Sequence, residues 1–159
     1  MYTVRLVQEK DMETLATIMS ETFTRADAEK PWDKEHSLKY LSYCMKTQPD
    51  LFFGAFDENQ DSVGAIAGHI KPWRTAHRCT GGVLFVTIPH QKQGIAKMLI
   101  KKLMTEAIEK YNATSFEAVT FAGNEFPLTW YEKIGIVADE DAVLIKGKCA
   151  DIQSKLSHK

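Results

Sequence analysis

Apolar and polar positions along the chain follow two periods, and the switches between them predict the elements. Thr3-Val4-Arg5-Leu6-Val7 alternates and predicts a first strand. Asp11 stands where a helix N-cap belongs, and Met12, Leu15, Ala16, Met19 and Phe23 follow at helical spacing. A second helix is expected from about Lys34 to Lys46, with Leu38, Leu41 and Met45 on one face and Pro49 limiting its extension. Leu51–Phe56 and Val63–Ile70 flank the acidic turn 57–62 and predict an antiparallel hairpin. Gly81–Ile88 is the most apolar strand and is expected near the centre of a sheet. The clearest helix follows a Gly-containing turn: Ala96, Leu99, Ile100, Leu103, Met104, Ala107 and Ile108 form one continuous apolar face. Phe116–Phe121 reads as a further strand. A short helix is expected from about Phe126 to Lys133, stopped by Gly135 in a left-handed cap. Ile136–Cys149 is expected to hold two last strands around Asp139-Glu140-Asp141, and the polar tail from Ala150 to fray.

A strand, a crossover helix and a strand imply at least one parallel pair, while the hairpin implies antiparallel pairing elsewhere. The class is therefore mixed α/β, with helices covering a mixed sheet. No repeat or linker interrupts the 159 residues, so residues 1–159 are expected to form a single domain.

Composition removes several function classes. The formal net charge of −1 supplies no basic footprint for nucleic acid, and no apolar run reaches a membrane-spanning length. Met1–Lys10 has no uninterrupted apolar stretch and is not read as a secretory signal. Cys44, Cys79 and Cys149 are far apart and lack zinc-site spacing; they fit free thiols in a reducing, cytoplasmic compartment, and no metal is expected.

Chemistry concentrates in Val86-Thr87-Ile88-Pro89-His90-Gln91-Lys92-Gln93-Gly94-Ile95-Ala96, which leaves a buried strand and opens the long helix. The first turn of a helix has backbone N–H groups without partners, its dipole is positive there, and Gly94 removes a side chain from the approach. These features describe a phosphate site with Lys92 and Lys97 at its rim, although many strand-to-helix turns carry a glycine and hold nothing. The nucleotide patterns G-x-G-x-x-G and G-x-x-x-x-G-K-(S/T) are absent.

Gln91-x-x-Gly94-x-Ala96 resembles the (Arg/Gln)-x-x-Gly-x-(Gly/Ala) signature of the GNAT superfamily of N-acetyltransferases. Downstream, Asn124 followed by Trp130-Tyr131-Glu132-Lys133-Ile134-Gly135-Ile136 is similar to a second element of that family, at the family's spacing. The resemblance covers nearly the whole chain. It implies a mostly antiparallel sheet of six to seven strands with a splayed central parallel pair, flanked by about four helices. It implies acetyl-CoA as co-substrate, its pyrophosphate on the amides of Gln91, Lys92, Gln93, Gly94, Ile95 and Ala96, and its pantetheine arm paired with Phe85, Val86, Thr87 and Ile88. The resemblance also implies that Tyr131 takes the position of the family's general acid and that Asn124 contacts the pantetheine arm or the cofactor-side backbone; packing and a helix N-cap are the plainer readings of these two residues. The acceptor is expected to be a primary amine of a small molecule or a protein, and a homodimer is among the expected assemblies.

Two departures stand out. Ile88 occupies the place of the family's usual proline, with Pro89 following, and Gly81-Gly82-Val83-Leu84 lacks the carboxylate many relatives use as base. Glu117 is taken as the catalytic candidate instead, with His69 and His77 as others, acting through water. The same gap leaves a non-catalytic CoA-binding or regulatory domain as the alternative. Phe23, Glu29, Pro31, Trp32 and His36, together with Trp73 and His77, are candidates for the acceptor side, or simply close the core.

Overall fold

The computed structural model describes residues 1–120 and 125–157. The chain divides into two compact units, Met1–Val119 and Thr120–Lys159. The first unit holds β1 (Thr3–Leu6), α1 (Met12–Ala26), α2 (Lys34–Thr47), β2 (Phe52–Phe56), β3 (Ser62–Trp73), β4 (Ala76–Val86), α3 (Ile95–Tyr111) and β5 (Ala113–Glu117). Its strands form one sheet in the order β1-β2-β3-β4-β5. Every neighbouring pair is antiparallel except β4 and β5, which run parallel across the α3 crossover. The sheet thus has five strands among the described residues, against the six to seven expected.

The core lies on both faces of this sheet. Leu15, Ala16 and Met19 of α1 and Leu41 of α2 are fully buried with Phe52, Ala65, Ala67, Val83 and Phe85 on one side. On the other, α3 packs on β2, β3 and β4 through Ile95, Leu99, Ile100, Leu103 and Ala107. Each large apolar side chain removed from water here contributes about 1.5–3 kcal/mol. The predicted apolar face of α3 runs one turn too far, because Ile108 is 57% exposed.

Asp11 stands at the N-cap position of α1 as predicted, but its side chain makes no hydrogen bond to that helix's first turn. Asp11 is buried, and its carboxylate instead accepts hydrogen bonds from Arg5 (2.7 and 3.1 Å) and from the backbone N–H of Gln8 (2.8 Å), tying β1 to the start of α1. Burial pushes its pKa up, but the Arg5 and Gln8 hydrogen bonds and the Arg5 charge outweigh it and hold the carboxyl below the usual 3.8. A depressed carboxylate contributes stability above its unfolded pKa and loses it as pH falls through the folded value. Asp11→Asn is therefore expected to cost about 1–3 kcal/mol at neutral pH. The gap to wild type should close under strongly acidic conditions, as read by urea unfolding along a pH series.

In the second unit, α4 (Glu125–Glu132) ends in a cap with Gly135 at φ 84°. The N–H of Ile136 donates to the Tyr131 carbonyl and that of Gly135 to the Glu132 carbonyl, both at 3.0 Å, which satisfies carbonyls the helix end leaves free. The two strands expected between Ile136 and Cys149 are not formed: residues 136–148 are irregular, and Val143, Leu144 and Ile145 are 72–86% exposed. Alternation alone does not make a strand; it needs a neighbour to accept its hydrogen bonds. The tail beyond them is not frayed but forms α5 (Cys149–Ser157). No helix among the described residues is long and apolar enough to cross a membrane.

Candidate functional site

A bulge divides β4 into two halves. Ala67 pairs with Val83 and Gly68 with Gly81, so Gly82 is an extra residue on β4. Glycine suits position 81, where a Cβ would stand 2.8 Å from the Phe116 ring, whereas one on Gly82 would meet only ordinary contacts from 3.4 Å. The Gly82 carbonyl accepts a 2.7 Å hydrogen bond from the Tyr40 hydroxyl of α2. Sequence gives no sign of this contact, which joins positions 42 apart.

Beyond the bulge β4 loses its parallel neighbour. Pairing with β5 runs only from His77 to Thr80, where Thr80 lies beside Glu117. Gly81 to Val86 have no strand on that side among the described residues. Thr87 donates its N–H to Val63 on β3 (2.8 Å), so the alternation of an extended chain turns the N–H and C=O of Val86 to the open side. The Val86 carbonyl accepts from the Gln91 side chain at 2.9 Å, which anchors the following turn to the open edge.

That turn leads into α3. A single short helical turn, Ile88–His90, accommodates Pro89, and Lys92 (φ 61°) and Gly94 (φ 83°) take left-handed backbone conformations. Gln91 to Gly94 are exposed, and a Cβ on Gly94 would meet nothing within 4 Å. The backbone N–H groups of Lys92, Gln93, Gly94, Ile95, Ala96 and Lys97 have no acceptor among the described residues; the first helical bond is Met98 to the Gly94 carbonyl, 3.1 Å. No acidic residue lies in the first turn of α3, and Lys92 and Lys97 form no ion pair among the described residues. The turn is braced by the residue before β1: the Tyr2 hydroxyl meets His90 Nδ1 at 2.9 Å and donates to Gln93 Oε1 at 2.6 Å. Six free donors, a positive helix end and an open glycine suit a diphosphate, and the unpaired edge of β4 beside them suits an extended amide-bearing arm.

Glu117 lies on the other side of the bulge. It pairs with Arg78, accepts from the Thr80 hydroxyl at 3.1 Å and has Lys71 Nζ at 3.7 Å. Burial raises its pKa, yet the Arg78 and Thr80 hydrogen bonds and the Arg78 and Lys71 charges bring it below the ordinary glutamate value. Both carboxylate oxygens are engaged, so taking a proton from an ammonium means displacing these partners. Lys71 and Arg78 also stack over Trp73, at 4.6 and 4.9 Å from the ring centre, and His77 is exposed nearby.

On the α1–α2 side, Trp32 packs against Phe23 (5.9 Å) and Tyr40 (5.8 Å), and Phe23 reaches Phe85 of β4 (6.3 Å). Thr24 holds the loop by hydrogen bonds to both backbone groups of Trp32. Glu29, Pro31 and His36 are exposed, and Asp33 caps α2 by accepting from the backbone N–H of His36, whose ring Nδ1 meets the same carboxylate at 2.8 Å. Beside this wall, Tyr40, Tyr43, Cys44, Thr47, Ala67, Gly68, His69 and Gly82 line a small open cleft with a volume of about 40 Å³.

Tyr131 is in the second unit, on the last turn of α4, with its ring 5.1 Å from that of Trp130. Burial pushes its phenol pKa up, so it is protonated at neutral pH. Asn124 lies outside the described residues. Among the described residues no group of three or more His, Cys, Asp or Glu side chains is placed to hold a metal ion.

A sequence profile of the acetyltransferase (GNAT) family matches residues 12–136, and the chain belongs to that family. Solved structures share its fold. An integron cassette protein from the mobile metagenome of V. cholerae is 16% identical, with 98% of each chain covered and a TM-score of 0.77. The ribosomal-protein-alanine N-acetyltransferase of Brucella melitensis biovar Abortus is 20% identical over 92% of this chain and 100% of its own, with a TM-score of 0.70. AAC(6')-Iy, solved with the bisubstrate analogue CoA-S-monomethyl-acetylneamine, is 14% identical over 94% and 99%, with a TM-score of 0.72. No curated protein sequence matches the chain.

Proposed function

We propose that this protein transfers the acetyl group of acetyl-CoA to a primary amine by direct attack in a ternary complex. The observation that carries the reading is the meeting of two unpaired backbone features: the open β4 edge at Gly81–Val86 and the six free N–H donors at the start of α3. The amides of Gln91 to Ala96 hold the diphosphate, and Phe85 to Ile88 pair with the pantetheine arm. Acetyl-CoA supplies the activated acetyl thioester. The outward N–H of Val86 donates to the carbonyl oxygen as charge builds on it. Tyr131, kept protonated, gives its proton to the departing sulfur, and Asn124 steadies the arm. Residues 1–159 act as one domain in this reading, which the family match across the boundary between the two units supports. Glu117 serves as the charge that fixes Arg78 and Thr80. Three free thiols suit a cytoplasmic setting.

The aromatic wall of Phe23, Trp32 and Tyr40 is where the acceptor enters. The named relatives acetylate a ribosomal protein alanine or hold an acetylneamine analogue, so both peptide and small-molecule amines belong in the test. Calorimetry should show CoA binding, and thiol release should rise when spermidine, kanamycin or an alanyl peptide is added with acetyl-CoA. Binding without transfer to any amine would mark a CoA-binding domain without catalysis, and no binding would end the reading.

A further inference from the structure

We propose that His69 is the base that takes the proton from the incoming ammonium, an inference that rests on the acetyltransferase reading. Three side chains compete for this role. Glu117 is saturated by Arg78, Thr80 and Lys71. His77 is exposed on the hairpin end and does not line the cleft. His69 alone combines half-burial, a place in the cleft wall and freedom from any hydrogen bond or ion pair among the described residues.

Its position follows from the sheet. His69 lies on β3 opposite Thr80, one residue past the bulge at Gly68, and shares the cleft with Gly82. Gly82 lies in the part of β4, from Gly81 on, that has no β5 partner, so the imidazole shares the cleft with that part of β4 from the neighbouring strand. The titratable groups lining the same cleft are Tyr40, Tyr43 and Cys44 of α2. Burial raises the Tyr40 phenol and pushes the Cys44 thiol up to about 11, so neither competes for the role at neutral pH. Arg78 of β4, Lys71 of β3 and Glu117 of β5 complete the charges on this side and are paired with one another. Imidazole is the side chain that exchanges protons near neutral pH.

The proton balance is closed. A ring nitrogen of His69 accepts one proton from R–NH3⁺ and frees the amine lone pair. The N–C bond forms as the C–S bond breaks. The second proton lost from nitrogen is matched by the one the sulfur receives, and the imidazolium returns its proton to water.

The test compares two kinds of nucleophile. Alkylamines arrive protonated at neutral pH, whereas hydroxylamine arrives neutral and needs no base. His69→Gln is expected to lose about 100-fold or more in kcat/KM with the best of spermidine, kanamycin and an alanyl peptide, but no more than about threefold with hydroxylamine. Raising the pH to about 9.5 should restore much of the alkylamine rate. Equal losses with both nucleophiles, or no loss with either, would overturn the role of His69. A wild-type chain that binds no CoA would sink the underlying acetyltransferase reading instead.

Discussion

Aspartate at position 94 is expected to weaken CoA binding by about 100-fold or more, roughly 3 kcal/mol, while the protein still folds. Gly94 has φ 83°, and a Cβ there meets no protein atom within 4 Å. The substitution therefore brings no clash, only the cost of a left-handed conformation, which Asp and Asn tolerate best among residues with side chains and which amounts to about 1 kcal/mol. The new carboxylate enters the group of free N–H donors at Lys92 to Lys97, where it repels a diphosphate and competes for the same amides. Gly94→Asn carries the same strain without the charge and should bind much more tightly than the aspartate. Calorimetric Kd and thermal midpoints of the two variants separate the effects. Equal losses for Asn and Asp would assign the effect to shape, and an unchanged Kd in both would place the diphosphate elsewhere.

Tyr131→Phe should lower kcat by about 100- to 1,000-fold and leave the CoA Kd within about twofold. The variant keeps the ring and its packing against Trp130, and removes only the hydroxyl proposed to donate the proton. Because the wild-type phenol is half-buried with a raised pKa, it stays protonated well above neutrality, so its loss should not vary with pH between about 6 and 9. A thiol-release assay with the most reactive acceptor measures kcat, and an unchanged value would remove Tyr131 from the chemistry.

Much of this architecture was legible in the chain. The helices α1, α2, α3 and α4, and the cap at Gly135, follow from strong helical periodicity and from a glycine where only a left-handed residue fits. The strands expected at Val63–Ile70 and Gly81–Ile88 were read too short at their facing ends, where β3 and β4 continue to Trp73 and from Ala76. Lys71 to Arg78 is mostly polar, and the arms persist because Lys71 and Arg78 cover Trp73 and Arg78 of β4 pairs with Glu117 of β5. Asp11 misled because Arg5, six positions away, captures its carboxylate. The exposed run Val143–Ile145 misled in the opposite direction, since apolar character was present and a pairing neighbour was not. Within the site, the glycine signature was visible, whereas the Tyr40–Gly82 and Gln91–Val86 hydrogen bonds depend on chain reversals that no local pattern encodes. The loss of pairing beyond Thr80 was expected only through family resemblance.

The inserted glycine of β4 is also a phase shifter. In a regular strand, residues an odd number apart face opposite ways. Across the insertion, Thr80 and Val83 are three apart, yet Val83 belongs to the α1–α2 core and Thr80 stands opposite His69, which lines the cleft on that same side. A ladder that stays in step upstream thus falls out of step downstream, and the pairing with β5 ends at Thr80, just before the insertion. One residue without a side chain is enough to convert a continuous sheet into a fork, and Tyr40 fastens the fork at its crotch from the helix above.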